Sequence, residues 1–165
     1  MQPSELPEGV EFRPIRADDR EFLCRLYAST RKEEVARTGW SEAEQEAFLR
    51  FQFDAQHAFY MEHFAGADFE LVLQHGEAIG RLYNDRRNDE IRIIDIALLP
   101  EHRGRGIGSA LLRGVLAEAQ AAGKPVRIHV ESFNPALRLY ERLGFRKRDD
   151  NGVYHLMEWS PGDAR

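Results

Sequence analysis

The chain is short of several things at once. Among 165 residues there is 1 cysteine, and lysine is scarce, 3 against 20 arginines. Cys24 alone cannot close an internal disulfide, and no cysteine cluster has the spacing of a zinc site. A disulfide scaffold and a resident metal are therefore not expected. The longest apolar stretch, around Ile93 to Leu99, is broken by Asp95 and falls far short of the roughly 20 residues that span a bilayer. Met1 to Gly9 is acidic and proline-containing and has no apolar signal core. Repeats and low-complexity linkers are also missing. These absences lead us to expect a cytoplasmic protein with no membrane element. We read residues 1–165 as a single domain, with residues 1–10 a flexible N-terminal segment.

What is present fits a globular chain. Hydrophobic residues make up 42% and charged residues 31%, which excludes collagen, coiled coil and bulk disorder. The net charge of −5 speaks against a general nucleic-acid binder. The charge is unevenly spread. Residues 1–79 hold 8 basic and 16 acidic side chains, whereas residues 80–148 hold 14 and 8. A basic second half suits a polyanionic ligand, and an acidic first half would favour a cationic one through the field of the protein.

Periodicity orders the elements as β, α, α, β, β, β, α, β, α, β, β. Asp18 with Glu21 reads as a helix start, followed by the stripe Phe22, Leu23, Leu26 and Tyr27. Ser41-Glu42-Ala43-Glu44 is a capping box that opens a second helix. That helix is expected to bury Phe48, Phe51, Ala55 and Phe59, with Gln52 and Gln56 able to point inward. A meander follows over Phe69–Leu73, Ala78–Asn84 and Glu90–Leu99, its last strand nearly continuously apolar and so central. A third helix carries Leu111, Leu112, Val115, Leu116 and Ala119 on one face and ends at Gly123. Val126–Val130 is a strand. Asn134 is read as the N-cap of a last helix, with Pro135 at its first position. Asn151-Gly152 turns a terminal hairpin. The fold class is α/β, a mixed sheet with helices on both faces.

The segment Pro100-Glu101-His102-Arg103-Gly104-Arg105-Gly106-Ile107-Gly108-Ser109 joins a buried strand to an amphipathic helix. Helix N-termini present unpaired N–H groups and a positive dipole end. The glycines let a ligand approach the backbone, and Arg103 and Arg105 add charge. This is an anion cradle, most naturally for a pyrophosphate. It is not a P-loop, because the Lys-Ser/Thr pair is absent, and it lacks the final spacing of a dinucleotide fingerprint. A bare strand-to-helix turn fits the same pattern.

Arg103-Gly104-Arg105-Gly106-Ile107-Gly108 resembles the Arg/Gln-x-x-Gly-x-Gly/Ala signature of the GNAT N-acetyltransferase superfamily. Ile96-Ala97-Leu98-Leu99-Pro100 resembles the end of that family's fourth strand. Asn134-Pro135-Ala136-Leu137-Arg138-Leu139-Tyr140-Glu141-Arg142-Leu143-Gly144-Phe145 resembles its second block. The resemblance covers about residues 79–160, and the first half matches only in element order. It implies a mostly antiparallel sheet that splays between its fourth and fifth strands, with acetyl-CoA in the notch. It further implies that Gly104, Arg105, Gly106, Ile107, Gly108 and Ser109, beside Arg103, bind the pyrophosphate. Backbone groups of Ile96, Ala97 and Leu98 would hold the pantetheine arm, and Asn134 would bind the same arm. The implied activity is acetyl transfer to a primary amine of a small molecule or peptide. A non-catalytic acyl-CoA-binding module on the same fold is the alternative. Family habit points to a homodimer.

Tyr140 occupies the family's general-acid position, where a phenol can protonate a leaving thiolate. It also lies on an apolar stripe and could simply be core. The base is open among His129, Glu131 and Asp95. His129 titrates near neutrality, Glu131 shares its strand face, and Asp95 is a carboxylate inside an apolar strand that needs a partner. The early aromatics read mostly as core, with Trp40 the best pocket candidate.

Overall fold

The computed structural model describes residues 6–162. Of the expected N-terminal segment, residues 1–5 lie outside the described residues. Leu6 packs against the main core and Val10 opens the first strand. The elements follow the expected order. They are β1 Val10–Pro14, α1 Arg20–Ala36, α2 Glu42–His63, β2 Asp68–Gln74, β3 Glu77–Arg86, β4 Ile91–Leu98, α3 Ile107–Ala122, β5 Val126–Glu131, α4 Leu137–Arg142, β6 Arg146–Asp150 and β7 Tyr154–Trp159. No helix among the described residues is long and apolar enough to cross a membrane.

The strands form one seven-stranded sheet in the order β1-β2-β3-β4-β5-β7-β6. Only β4 and β5 run parallel, and they pair only over Ile91–Ile93 and Val126–Ile128. Beyond Ile93 and Ile128 the two strands part, so the sheet forks there. On its other side β4 stays paired to β3, with Ile94 bulged out between Ile93 and Asp95. The bulge breaks the strict alternation of side chains and puts Asp95 opposite Tyr83.

Each face of the sheet has its own core. Leu82, Ile91, Ile93, Ile128 and Val130 pack with the apolar stripe of α3 and with Tyr140 of α4. Leu71 packs with Leu23, Cys24, Tyr27 and Val35 of α1 and Leu49 and Phe53 of α2. Gly123 caps α3 in the left-handed conformation at φ 68°. Gly80 lets β3 and β4 approach closely, because a Cβ there would run into the Ala97 carbonyl and the Leu98 side chain.

Three local expectations need correction. The face of α2 read as buried is the outer one. Phe51 is 71% and Phe59 50% exposed, while Leu49 and Phe53 are buried. The helix is apolar on more than one side, so periodicity alone could not choose the inward stripe. Trp40 stacks edge-on against Phe48 of this outer face, ring centres 5.0 Å apart. Asn134 is not the cap of α4, which starts three residues later. Its Oδ1 accepts from the Ala136 N–H at 2.8 Å in a tight turn before the helix. At the start of α1 the acid that acts is Asp19 rather than Asp18. It accepts from the Arg16 N–H and from both terminal nitrogens of Arg13.

Candidate active site

The fork gathers residues from β3, β4, β5, α1, α2, α3 and α4. Its β4 wall is Asp95–Leu98, paired to β3 on one side and unpaired on the other. A strand with one free edge offers N–H and C=O groups to an extended ligand. Ile96, Ala97 and Leu98 all lie on this edge, although the Leu98 carbonyl already accepts from Arg103 Nε at 2.9 Å.

The chain then makes one turn of 3-10 helix, Pro100–His102, and enters α3 through Gly106. The first helical bond runs from the Ala110 N–H to the Gly106 carbonyl. The N–H groups of Ile107, Gly108 and Ser109 therefore have no backbone acceptor among the described residues. No side chain caps this end, and no acidic residue sits in the first turn. Natural helix starts are usually capped, so three open donors at the positive end of the dipole suit an anion. Gly104 (φ +74°) and Gly106 (φ +81°) hold the loop in the left-handed conformation, and a Cβ on either would enter open space. Arg105 is exposed. Arg103 instead ties the loop to α1, with its Nη2 3.3 Å from Ser29 Oγ.

Across the fork, Tyr140 is 5% exposed and meets Phe145 edge-on at 5.5 Å. Burial pushes the phenol up, with the Asp95 charge adding to it, so it stays protonated at neutral pH. Its hydroxyl meets no protein partner among the described residues, yet it is not sealed from solvent.

The three candidate bases lie on the face covered by α1 and α2, each beside an arginine. Glu131, at the end of β5, is held by Arg31 of α1 in two contacts of 3.0 and 2.5 Å. Nδ1 of His129 lies 2.9 Å from Arg92 Nη1. Arginine has only donors, so Nδ1 accepts and the proton of the neutral ring sits on Nε2. Burial and the Arg92 charge lower the His129 pKa, which keeps that neutral form at pH 7. Asp95 Oδ2 pairs with Arg81 of β3 and accepts from the Tyr60 hydroxyl of α2 at 3.2 Å. The carboxylate inside the apolar strand thus has its partner. Asn134 lies in the turn before α4, half-buried.

Arg31, Tyr60, Arg81 and Arg92 were not singled out from the sequence. Arg81 had a signal, because it interrupts the apolar run Ala78–Tyr83 as Asp95 interrupts the next strand. Opposite charges breaking neighbouring central strands are a pairing clue. Arg31 had none, since an arginine on a charged helix face is indistinguishable from its neighbours.

Comparison with known proteins bears on this geometry. The Acetyltransferase (GNAT) family matches residues 22–145. A mycothiol acetyltransferase of Actinosynnema mirum is 30% identical over 161 residues, 92% of this chain and 49% of that protein. The [ribosomal protein bS18]-alanine N-acetyltransferase of Haemophilus influenzae is 28% identical over 85 residues, 51% of this chain and 58% of that protein. The chain spans about half the length of the mycothiol acetyltransferases it matches. Among solved structures, the PaiA N-acetyltransferase of Thermoplasma acidophilum in complex with coenzyme A superposes with a TM-score of 0.69 at 21% identity. The match covers 92% of this chain and 98% of that one. That likeness is one of fold.

Proposed function

This chain belongs to the GNAT acetyltransferase family, and from that premise we propose that it transfers the acetyl group of acetyl-CoA directly to a primary amine. The observation that carries the reading is the uncapped start of α3 beside the free edge of β4. Three open N–H donors, two glycines without a Cβ and the exposed Arg105 fit a pyrophosphate. The edge of Ile96–Leu98 fits the amide-bearing arm, with a backbone N–H positioned to polarise the thioester carbonyl. Asn134 Nδ2, left over when Oδ1 is taken by the turn, adds a donor for the same arm. The coenzyme A complex of the PaiA relative supports the assignment of the notch.

Tyr140 acts as the acid. As the amine nitrogen bonds to the acetyl carbon and the carbon–sulfur bond breaks, its hydroxyl gives a proton to the departing thiolate. The phenol then recovers a proton from solvent. Glu131 and His129 serve structure more than proton transfer, because Arg31 and Arg92 occupy their acceptor atoms. Asp95 faces the acceptor with its second oxygen, and the amine proton leaves at that atom.

The test is thermal unfolding with and without acetyl-CoA, run beside thiol release over a panel of amines. A ligand that binds the native state must raise its stability. Stabilisation with turnover is the expected result. Stabilisation without turnover on any amine would support the acyl-CoA-binding module instead, and no stabilisation at saturating acetyl-CoA would overturn the assignment of the notch.

A further inference from the structure

The acceptor side of the fork holds a pair of polar atoms whose orientation is set by one buried cation. Arg81 is 2% exposed, and its guanidinium lies 4.8 Å from the centre of the Tyr83 ring. Its Nη2 donates both to Asp95 Oδ2 and, at 2.9 Å, to Gln56 Oε1. An arginine cannot accept a hydrogen bond. The Gln56 amide must therefore turn its oxygen toward Arg81 and its Nε2 away. Tyr60 donates to the same Asp95 oxygen that Arg81 binds. Two atoms are left over, the acceptor Asp95 Oδ1 and the donor Gln56 Nε2. Neither meets a partner among the described residues, and neither is sealed from solvent. Each belongs to a group whose other atom binds the same Arg81 nitrogen, so the two groups are gathered at one cation. The inward line of α2 runs Gln52, Gln56, Tyr60 at one-turn spacing, and each of the three is half-buried.

One open acceptor and one open donor, on two groups held by the same cation, are complementary to a ligand that carries both a donor and an acceptor. Resting on the acetyl-transfer reading above, we propose that the acceptor substrate is an α-amino carbonyl compound, such as an amino-acid amide or a peptide N-terminus, rather than a simple alkylamine. Asp95 Oδ1 takes an N–H of the amino group. Gln56 Nε2 donates to the carbonyl oxygen on the adjoining carbon. Arg81 is too buried to touch the substrate and is a positioning residue, as is Tyr60.

The probes are L-phenylalaninamide and 2-phenylethylamine, which share an amine and an aromatic body and differ by the carboxamide. Thiol release from acetyl-CoA gives kcat/KM for each. With wild-type protein, phenylalaninamide should be the better acceptor. Gln56→Leu should lower kcat/KM for phenylalaninamide about tenfold more than for phenylethylamine, the scale of one hydrogen bond of about 1.4 kcal/mol. Because each variant is compared with wild type on the same amine, the different basicities cancel in the effect of Gln56→Leu. Tyr60→Phe should raise KM for both amines and leave KM for acetyl-CoA unchanged. Arg81→Lys, which keeps the charge, should retain more activity than Arg81→Met, with the acetyl-CoA-induced rise in Tm reporting that each variant is folded. Equal effects of Gln56→Leu on the two amines, or no effect on either, would overturn the proposal. So would failure of both amines to react while acetyl-CoA still stabilises the protein, which leaves the transfer reading standing. Absence of that stabilisation would overturn the reading and the proposal together.

Discussion

The two sides of the fork are built from different materials. On the α3 side the proposed binding groups are main-chain N–H donors of one continuous loop, freed by glycine and by the lack of a cap. On the α1/α2 side they are side chains from two helices and three strands, oriented by arginines. A backbone site needs particular residue types at consecutive positions, so it leaves a compact motif. A side-chain site needs only that Gln56, Tyr60, Arg81 and Asp95 meet after folding. The first kind suits a ligand that is always the same, and the second can change with the acceptor while the fold stays put.

The sharpest test of this division is Tyr140, whose α4 packs with α3 and whose hydroxyl is the proposed acid. Tyr140→Phe should lower kcat by about 100-fold, the scale of a lost general acid, while the acetyl-CoA-induced rise in Tm persists. Thiol release and thermal shift on the same sample separate the two. A kcat within about threefold of wild type would mean that solvent protonates the thiolate.

Two glycines should then fail in different ways. Gly80→Ala drives a Cβ into the Ala97 carbonyl and Leu98. Overpacking of this kind costs about 2 kcal/mol, visible in denaturant unfolding without any ligand. A Cβ added at Gly106 meets no protein atom, but Gly106→Val puts a branched side chain at φ +81° and into the space proposed for the anion. Apart from a left-handed strain of about 1 kcal/mol, its effect should appear as loss of acetyl-CoA stabilisation. Equal behaviour of the two variants would erase the difference between a packing glycine and a ligand glycine.

A smaller effect concerns the anchored carboxylate. Glu131→Gln keeps the shape and weakens the pair with Arg31. We expect kcat/KM to change by less than about fivefold, and stability by about 1 kcal/mol, as for a partly exposed ion pair. A loss of 100-fold or more would restore Glu131 to proton transfer.

The same contrast decides what could be read from the chain alone. Element order and the central place of β4 follow from hydrophobic periods, because these are local properties, whereas the fork is implied by the family resemblance of Arg103–Gly108 and Asn134–Phe145. The buried face of α2 did not follow, since Phe48, Phe51 and Phe59 compete with Leu49 and Phe53, and only the neighbouring sheet decides between them. Asp95 could be recognised as needing a partner, but Arg81 lies 14 residues away on another strand. The ties of Arg31 to Glu131 and of Arg92 to His129 depend on α1 and β4 meeting β5, which no spacing encodes. Sequence therefore identified candidates on the acceptor side without their orientation, and orientation is what separates a free carboxylate from a clamped one.

The last and smallest effect lies in the acceptor half as well. His57 of α2 stacks on Phe53 at 5.4 Å, and its Nδ1 is buried without a partner. Burial, aided by the charges of Arg20 and Arg81, lowers its pKa from the ordinary value near 6.5. The folded protein thus resists protonation that the unfolded chain accepts. The contribution of His57 to stability is complete above about pH 6.5 and is lost as pH falls from there toward its depressed folded value. His57→Gln, which cannot titrate, should flatten the loss of stability between about pH 6.5 and 5 relative to wild type. Paired denaturant melts across that range measure it. An identical slope in the two proteins would show that α2 opens enough to hydrate the ring, and would make the acceptor wall softer than its buried arginine suggests.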